Sequence, residues 1–233
     1  MCVLKVTNLC KSYKKKQIVN NISFEVARGE MCALLGANGS GKTTITHMIT
    51  DLTHKNSGKV EIAGYDLDSE YKKAISRVGM CFDKFMLFED MSGYENLKLC
   101  TSLCTGEHSS IEDILDCFGL TDAAGEKVKN YSSGMKQKLA IARAVIKKPD
   151  LLIMDEPVNT LDHKSAKELY HTLYLLKEQG MSVLIITHLI KDIEPYADSV
   201  VFIKNGVIQL KGKVKDIIKE KNKDMEEIYD ELC

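Results

Sequence analysis

The sequence predicts an α/β fold on the basis of two observations. Three continuous apolar runs, at residues 31–35, 151–154 and 183–186, are typical of strands in the covered, parallel part of a sheet. Between the last two runs, apolar residues recur at helical spacing until Gly180 stops the pattern. This succession of strand, helix and strand indicates a parallel sheet with helices on its faces. The helical pattern consists of Ala166, Leu169, Leu173 and Leu176.

Weaker patterns extend this outline over the rest of the chain. Residues 3–7, 23–27 and 59–63 lie between turn residues and indicate short strands. Residues 92–146 hold apolar positions at helical spacing and no convincing strand, so we expect this segment to be helical. Residues 214–233 form an amphipathic helical pattern that is expected to pack on its own domain. Its apolar face carries Met225, Ile228, Tyr229 and Leu232.

Composition restricts the function classes. The chain has 233 residues, 44% of them hydrophobic, and a net charge of −1, which argues against broad adhesion to nucleic acid or membrane. It contains no apolar run near the roughly 18 residues of a membrane span, and its start does not resemble a signal peptide. None of the 8 cysteines forms a C-x-x-C pair, so free thiols are expected. We therefore expect the chain to stay in the cytoplasm unless a partner tethers it.

A glycine-rich segment follows the first apolar run. Its sequence GANGSGKT fits G-x-x-x-x-G-K-[ST] and precedes a helix-compatible stretch. Glycine lets the backbone wrap closely around phosphates, and bare N–H groups at a helix N-terminus favour an anion. In this motif the lysine, Lys42, reaches the β- and γ-phosphates, and the hydroxyl of Thr43 ligates Mg²⁺. The predicted nucleotide-binding residues here are Gly36, Ala37, Asn38, Gly39, Ser40, Gly41, Lys42, Thr43 and Thr44.

Two further segments suit phosphate chemistry. The run LLIMDEP ends in the paired carboxylates Asp155 and Glu156. An isolated pair of this kind is usually a solvated turn, but the apolar run before it and Pro157 after it favour a functional site. Asp155 can hold the shell of a Mg²⁺ ion, and Glu156 can orient or deprotonate an attacking water. One helix upstream, the triplet SSG at residues 132–134 opens a helix with small residues.

The order of these motifs resembles that of the ATP-binding cassette (ABC) ATPases. YSSGM at residues 131–135 is similar to the signature motif LSGGQ, and LLIMDEP is similar to the Walker B strand. Residues 159–162 (NTLD) match the D-loop, His188 matches the switch histidine, and Tyr13 stands where the family places an adenine-stacking ring. The resemblance covers nearly the whole chain. It implies an α/β P-loop NTPase (RecA-like) core with an antiparallel β-subdomain and an inserted α-helical signature subdomain.

The resemblance also implies a division of the chain. A single nucleotide-binding domain would span residues 1–233. Its core with the β-subdomain would occupy about residues 1–90 and 147–212, and the helical subdomain about residues 91–146. A C-terminal helix would take residues 213–233.

The family's roles transfer to matching positions. Lys42, Glu156 and His188 are the expected catalytic residues, with His188 at the γ-phosphate, and Tyr13 is expected to stack on adenine. The alternatives are that His188 has a structural role and that Tyr13 is only an exposed tyrosine beside a basic turn. The signature residues are expected to contact ATP held by a second chain, so two chains would sandwich two MgATP head to tail, with Asp162 between the sites. These signature residues are Ser132, Ser133 and Gly134.

Two departures from the family pattern are informative. The signature has Ser133 and Met135 where glycine and glutamine are usual, and this form resembles exporter ATPases for drugs, bacteriocins and peptides. Asp83 stands where the Q-loop glutamine is expected, as in some exporter ATPases including those of lantibiotic immunity. We treat Asp83 as a Mg²⁺-shell and coupling candidate.

The resemblance implies an ATPase subunit that powers a separate membrane-spanning permease. The expected cargo is that of the exporters just named: a drug, a peptide or a bacteriocin. The apolar stretch KFMLFEDMSGYENL at residues 84–97 is the expected permease contact, with a simple core cap as the alternative. Through that permease the chain would lie on the inner face of the cell membrane. The alternative function is a soluble, non-transport ABC ATPase acting on nucleic acid, ribosomes or cofactor assembly. A neighbouring reading frame with about six membrane spans would favour transport.

Overall fold

The computed structural model describes residues 2–82, 86–103, 107–159 and 161–232, and its strands form two sheets. Continuous apolar runs form the larger sheet, and alternating sequences form the smaller one. The strands are β1 (Cys2–Tyr13), β2 (Lys16–Ala27), β3 (Met31–Leu35), β4 (Ser57–Ile62), β5 (Tyr65–Asp66), β6 (Val78–Cys81), β7 (Leu151–Asp155), β8 (Ser182–Thr187), β9 (Ser199–Lys204) and β10 (Val207–Lys213).

The larger sheet has the order β10-β9-β3-β8-β7-β6 and is parallel except for the edge pair β9 and β10. Side chains alternate between two buried clusters along β3. Ala33 and Leu35 belong to one cluster, and Cys32 and Leu34 belong to the other. Both faces of the sheet are therefore covered, which explains why its central strands have no polar alternation. The predicted α/β class is confirmed.

The smaller sheet is antiparallel, with the order β2-β1-β4-β5. Its first two strands are longer than the predicted segments 3–7 and 23–27. Their outer halves bury Leu9, Val19 and Ile22, but register shifts around Leu9 interrupt the strict alternation that indicates a strand. The extra residues bring β1 and β2 together in a hairpin that closes at the pair Tyr13 and Lys16. The extension matters for the site, since it places Tyr13 at the hairpin tip.

The helices lie between and after the strands. They are α1 (Lys42–Ile49), α2 (Tyr71–Ile75), α3 (Gly93–Ser102), α4 (Ile111–Cys117), α5 (Ser133–Val145), α6 (His163–Glu178), α7 (Ile190–Ile193), α8 (Val214–Lys221) and α9 (Met225–Leu232). Between β6 and β7 the described residues form α3, α4, a 3₁₀ turn and α5, with one isolated bridge but no strand. Leu97, Leu115 and Leu139 of these helices share one buried cluster with Leu152 of β7. The helical segment and the core are thus continuous in packing, and the subdomain boundaries given above remain a prediction.

The C-terminal prediction is partly wrong. The segment expected to be one helix is divided into α8 and α9, because Asn222 adopts a left-handed conformation (φ 51) at the end of α8. The predicted apolar face is present, since Met225 and Ile228 are buried and Tyr229 packs beside them. The C-terminal helices therefore pack on the domain, as expected.

The hairpin of β9 and β10 was not predicted, although the sequence contains its signals. The apolar run VVFI of β9 is followed by Asn205 and Gly206, both with positive φ. An Asn-Gly pair of this kind is the strongest short-range hairpin signal. The turn also contacts the glycine-rich loop, because the Gly206 N–H donates to the Ser40 carbonyl at 2.9 Å.

The close contact of β6 with α5 yields a stability prediction. A Cβ atom on Gly79 would lie 2.4 Å from the Ala144 carbonyl oxygen, so Gly79→Ala must displace a helix backbone. We expect the free energy of unfolding to fall by about 1–3 kcal/mol, measured by urea unfolding. Gly125→Ala is the control, since its Cβ would meet no atom within 4 Å. Equal stability of the two variants would contradict this packing.

Candidate functional site

A cavity of about 610 Å³ opens at the end of the larger sheet where β3 and β7 finish. Three separate parts of the chain line it: the β1–β2 hairpin, the glycine-rich loop with the start of α1, and the end of β7. The lining residues are Tyr13, Lys16, Ile18, Asn38, Gly39, Gly41, Lys42, Thr43, Thr44, Asp155, Glu156 and Asn159. The structure therefore brings most of the predicted nucleotide-binding residues together with both carboxylates.

The glycine-rich loop connects β3 to α1. Gly41 adopts φ 107, and a Cβ there would lie 2.9 Å from the Ile18 carbonyl oxygen, so the tight turn requires glycine. The loop carbonyls hold the lysine. The Lys42 ammonium donates to the carbonyls of Gly36 and Ala37 at 2.6 and 3.2 Å, and the residue is only 6% exposed. Gly36, Ala37 and Ser40 shape the loop behind the cavity rather than lining it.

A threonine and an aspartate form the second part of the cavity. The Thr43 hydroxyl interacts favourably with the Asp155 carboxylate, and both residues line the cavity. Burial, and secondarily the neighbouring Glu156 carboxylate, raise the pKa of Asp155, while Thr43 and Lys42 oppose that rise. Hydroxyl and carboxylate oxygens are ligands that Mg²⁺ prefers. One hydroxyl and one carboxylate suit an ion that keeps water and phosphate oxygens as its other ligands. In the described part of the chain no group of three or more His, Cys, Asp or Glu side chains could hold a metal ion.

Glu156 is held by its backbone and by both carboxylate oxygens. It has φ 48, and its N–H donates to the Ile186 carbonyl at 2.8 Å. Its Oε1 lies 2.8 Å from His188 Nδ1, and its Oε2 accepts from the Thr187 hydroxyl at 3.1 Å. His188 was predicted to face a phosphate, and here it contacts the glutamate instead. The contact with Thr187 was not predicted, and only the adjacency of ITH to the apolar run could have indicated it.

Tyr13 lies at the tip of the β1–β2 hairpin and is 49% exposed. It lines the cavity beside Lys16 and Ile18, while the Lys11 ammonium lies 4.9 Å from its ring centroid. The Lys11 ammonium therefore covers one face of the ring, and the side chain remains half-exposed at the cavity mouth. Sequence reasoning did not single out Lys16 or Ile18, because the lysine-rich turn gave no indication of which side chains face inward.

The signature residues lie away from this cavity. Ser132 caps α5, its hydroxyl accepting from the Met135 N–H at 3.2 Å, and Ser132 and Ser133 are exposed. A Cβ on Gly134 would lie 3.5 Å from a side-chain carbon of Leu161, so the signature touches the D-loop segment. None of the signature residues lines the cavity that holds Lys42.

Of the remaining predicted residues, Asp162 is described by the structure and Asp83 is not. Asp162 caps α6, its Oδ1 accepting from the Lys164 and Ser165 N–H groups at 3.0 Å, and these hydrogen bonds, chiefly that of Ser165, lower the pKa of Asp162. Asp83 lies outside the described residues, as does Phe85. In the same apolar stretch Met86 and Phe88 are exposed, while Leu87 packs against the core.

A second cavity, of about 770 Å³, is larger but lies elsewhere. It opens between β1, β2 and β10 beside the ion pair of the buried Glu30 with Lys213. No predicted site residue lines it. Its size therefore does not identify it as the functional site, because the phosphate-binding loop and the carboxylates lie at the smaller cavity.

Comparison with known proteins agrees with this geometry. The sequence profile of the ABC transporter family matches residues 19–159. An uncharacterized ABC transporter ATP-binding protein of Bacillus subtilis, YdbJ, is 39% identical over 213 residues, which is 89% of this chain and 68% of the relative. The lantibiotic transport ATP-binding protein SrtF of Streptococcus pyogenes is 36% identical over 208 residues, covering 89% of this chain and 90% of the relative.

Solved structures give the same result. An ATP-binding subunit of an ABC transporter superposes with a TM-score of 0.87 at 30% identity, covering 99% of both chains. A cassette in a dimeric post-hydrolysis state bound to ADP and Pi has a TM-score of 0.79 at 26% identity, covering 90% of this chain and 98% of that one. The chain belongs to the ABC transporter family and is an ATP-binding, ABC-type ATPase subunit. Among the described residues, no helix is long and apolar enough to cross a membrane.

The raised pKa of Asp155 yields a prediction of how stability depends on pH. Because burial raises the pKa of Asp155 above its ordinary 3.8, its ionised form destabilises the nucleotide-free fold. Asp155→Asn should therefore raise the midpoint of thermal unfolding at pH 8, by about 2–4 °C if about 1 kcal/mol is relieved. The gain should shrink as pH falls through the raised pKa and vanish below 3.8, where both states are protonated. Urea unfolding from pH 8 downward would check the trend.

Asp122→Asn, at an exposed turn position, is the control for this series. An unchanged or lower stability of Asp155→Asn at pH 8 would show that the carboxylate is not strained there.

Proposed function

We propose that this chain dimerises head to tail around two MgATP and powers a separate membrane-spanning permease that exports a drug, a peptide or a bacteriocin. One observation carries the proposal. The phosphate-binding loop and the carboxylates line one cavity, whereas the signature residues lie outside it, with Ser132 and Ser133 exposed. A complete hydrolytic site therefore needs the signature of a second chain, and two copies of this chain can supply it to each other.

Each chain supplies most of its own ATP site in this proposal. Tyr13 stacks on adenine, Lys42 leaves the loop carbonyls for the β- and γ-phosphates, and the remaining loop residues donate N–H groups. Thr43 and Asp155 hold Mg²⁺, which would neutralise charge on the phosphates. The cavity volume of about 610 Å³ and the adjacent hydroxyl and carboxylate support this arrangement. Asp83 remains a candidate for the metal shell and for coupling.

Glu156 is the group that we propose to activate water. It lines the cavity next to Asp155, and its carboxylate has hydrogen-bonding partners that fix its direction. His188 reaches the γ-phosphate once ATP is present, exchanging its contact with Glu156 for one with the nucleotide. Ser132, Ser133 and Gly134 at the start of α5 then approach the same phosphate from the second chain.

The permease contact is proposed at the apolar segment of residues 86–91. Met86 is 76% exposed and Phe88 is 50% exposed, yet the backbone between them is fixed. The buried Asn96 side chain accepts from the Phe88 N–H and donates to the Phe88 carbonyl, both at 3.0 Å. Exposed apolar side chains on a fixed backbone suit docking of another protein. Binding there would keep this chain on the inner face of the cell membrane.

The cargo class rests on relatives and on the signature. The name of SrtF refers to lantibiotic transport, and the Ser-x-Gly-Met form of the signature resembles peptide and drug exporters. The alternative, a non-transport ATPase acting on nucleic acid, ribosomes or cofactor assembly, is not favoured, since the similar proteins reported above are transporter subunits.

Glu156→Gln tests the catalytic proposal. The amide cannot accept a proton from water, so we expect the turnover number for ATP to fall at least about 100-fold while ATP binding persists. The unhydrolysed nucleotide should also hold two chains together, which size-exclusion chromatography with ATP would detect. Lys42→Ala should instead lose ATP binding. Wild-type turnover by Glu156→Gln would remove Glu156 from the mechanism.

Phe88→Glu tests the docking segment. A charge placed in an apolar contact is costly, so we expect copurification of the membrane subunit to weaken at least about tenfold. Leu175→Glu is the control, because Leu175 is 47% exposed but lies on α6. Equal recovery of the membrane subunit with both variants would place the contact elsewhere.

A further inference from the structure

We propose that Thr187 is a positioning residue for ATP hydrolysis: its hydroxyl holds Oε2 of Glu156 so that Oε1 can face the attacking water. The inference rests on the proposed role of Glu156 as the group that activates water. Thr187 does not line the cavity, so it acts through the groups that its hydroxyl contacts, the Glu156 carboxylate and the Leu189 N–H.

The direction of the Thr187 hydroxyl is fixed. The Leu189 N–H donates to Thr187 Oγ1 at 3.1 Å, and Oγ1 in turn donates to Glu156 Oε2 at 3.1 Å. Because the backbone donor occupies one side of the oxygen, the hydroxyl hydrogen points at the carboxylate. A hydroxyl that donates to a carboxylate forms a charge-assisted hydrogen bond, which is stronger than a neutral one.

The position of Thr187 is rigid as well. It is the last residue of β8, pairs with Leu35 of β3 and has no exposed surface. The same strand end holds the Glu156 backbone, since the Glu156 N–H donates to the Ile186 carbonyl at 2.8 Å. One strand therefore fixes both the main chain and one carboxylate oxygen of Glu156, a residue with an unfavourable φ of 48.

The two partners of the carboxylate differ in what they can do during turnover. The His188 side chain is 38% exposed and can turn toward an anionic phosphate, which releases Oε1. The Thr187 side chain is buried and stays on Oε2. As the water oxygen bonds to the γ-phosphorus and the bond to ADP breaks, Oε1 accepts the water proton. The hydroxyl proton of Thr187 is not transferred.

The test compares Thr187→Val with Thr187→Ser in the full chain. Valine has nearly the shape of threonine but lacks the hydroxyl, and serine keeps it. We expect Thr187→Val to lose about 10- to 100-fold in kcat, because a charge-assisted contact and the alignment of Glu156 are lost. The KM for ATP and ATP-dependent dimerisation should change less than about twofold, since Thr187 does not touch the nucleotide cavity. Thr187→Ser should stay within about threefold of the wild-type kcat.

Thr50→Val is the matched control. Thr50 is also buried, and its hydroxyl donates to the Thr46 carbonyl at 2.9 Å, away from Glu156. The kcat of Thr50→Val should stay near wild type, even if its midpoint of thermal unfolding falls as much as that of Thr187→Val. If Thr187→Val does not fold, Thr187→Ala and Thr187→Ser replace it as a pair that differs by the hydroxyl alone.

The outcomes separate this inference from the proposed function. Wild-type kcat in Thr187→Val, with Glu156→Gln inactive, would overturn the role of Thr187 and leave Glu156 in place. Equal losses in Thr187→Val and Thr187→Ser would also overturn it, because serine keeps the hydroxyl and should therefore keep the activity. Wild-type turnover in Glu156→Gln would instead overturn the proposed mechanism itself.

Discussion

The parallel pairing of β3, β8 and β7 is the constraint on which the functional site depends. Because these strands are neighbours and run in one direction, their carboxyl ends meet at one edge of the sheet. The first strand delivers the glycine-rich loop, the second delivers Thr187 and His188, and the third delivers Asp155 with Glu156 following it. Side chains separated by more than 100 positions in the chain thereby surround one cavity.

This edge is electrostatically costly to build. Two adjacent carboxylates lie beside a nearly buried lysine, and burial raises the pKa of Asp155. The fold tolerates the arrangement because each group has a partner: carbonyl oxygens for Lys42, a hydroxyl for Asp155, and the Thr187 and His188 side chains for Glu156. In the proposed mechanism, nucleotide phosphates and a cation replace the contacts of Lys42, Asp155 and His188 with ionic ones, while the contact of Thr187 with Glu156 is kept.

The sequence was sufficient for some features and not for others. The buried strands β3, β7 and β8 and the glycine-rich loop have strong local signals, and their positions were predicted. The full length of the β1–β2 hairpin was missed because register shifts in its outer half interrupt the alternation of buried and exposed residues. The break at Asn222 depends on a single residue in the left-handed region, and the contact of His188 with Glu156 depends on tertiary geometry. Neither the break at Asn222 nor the contact of His188 with Glu156 leaves a periodic hydrophobic pattern in the sequence, so the sequence patterns could not predict them.

The central claim is that each ATP site combines the phosphate-binding loop of one chain with the signature of another. Mixing two inactive variants, Lys42→Ala and Gly134→Asp, tests it most directly. If the site is shared, half of the randomly formed dimers are mixed and each has one intact site, so ATPase activity should return to about a quarter of the wild-type rate. If loop and signature of the same chain acted together, every mixed dimer would have two defective sites. Activity that never exceeds that of the separate variants would contradict the account.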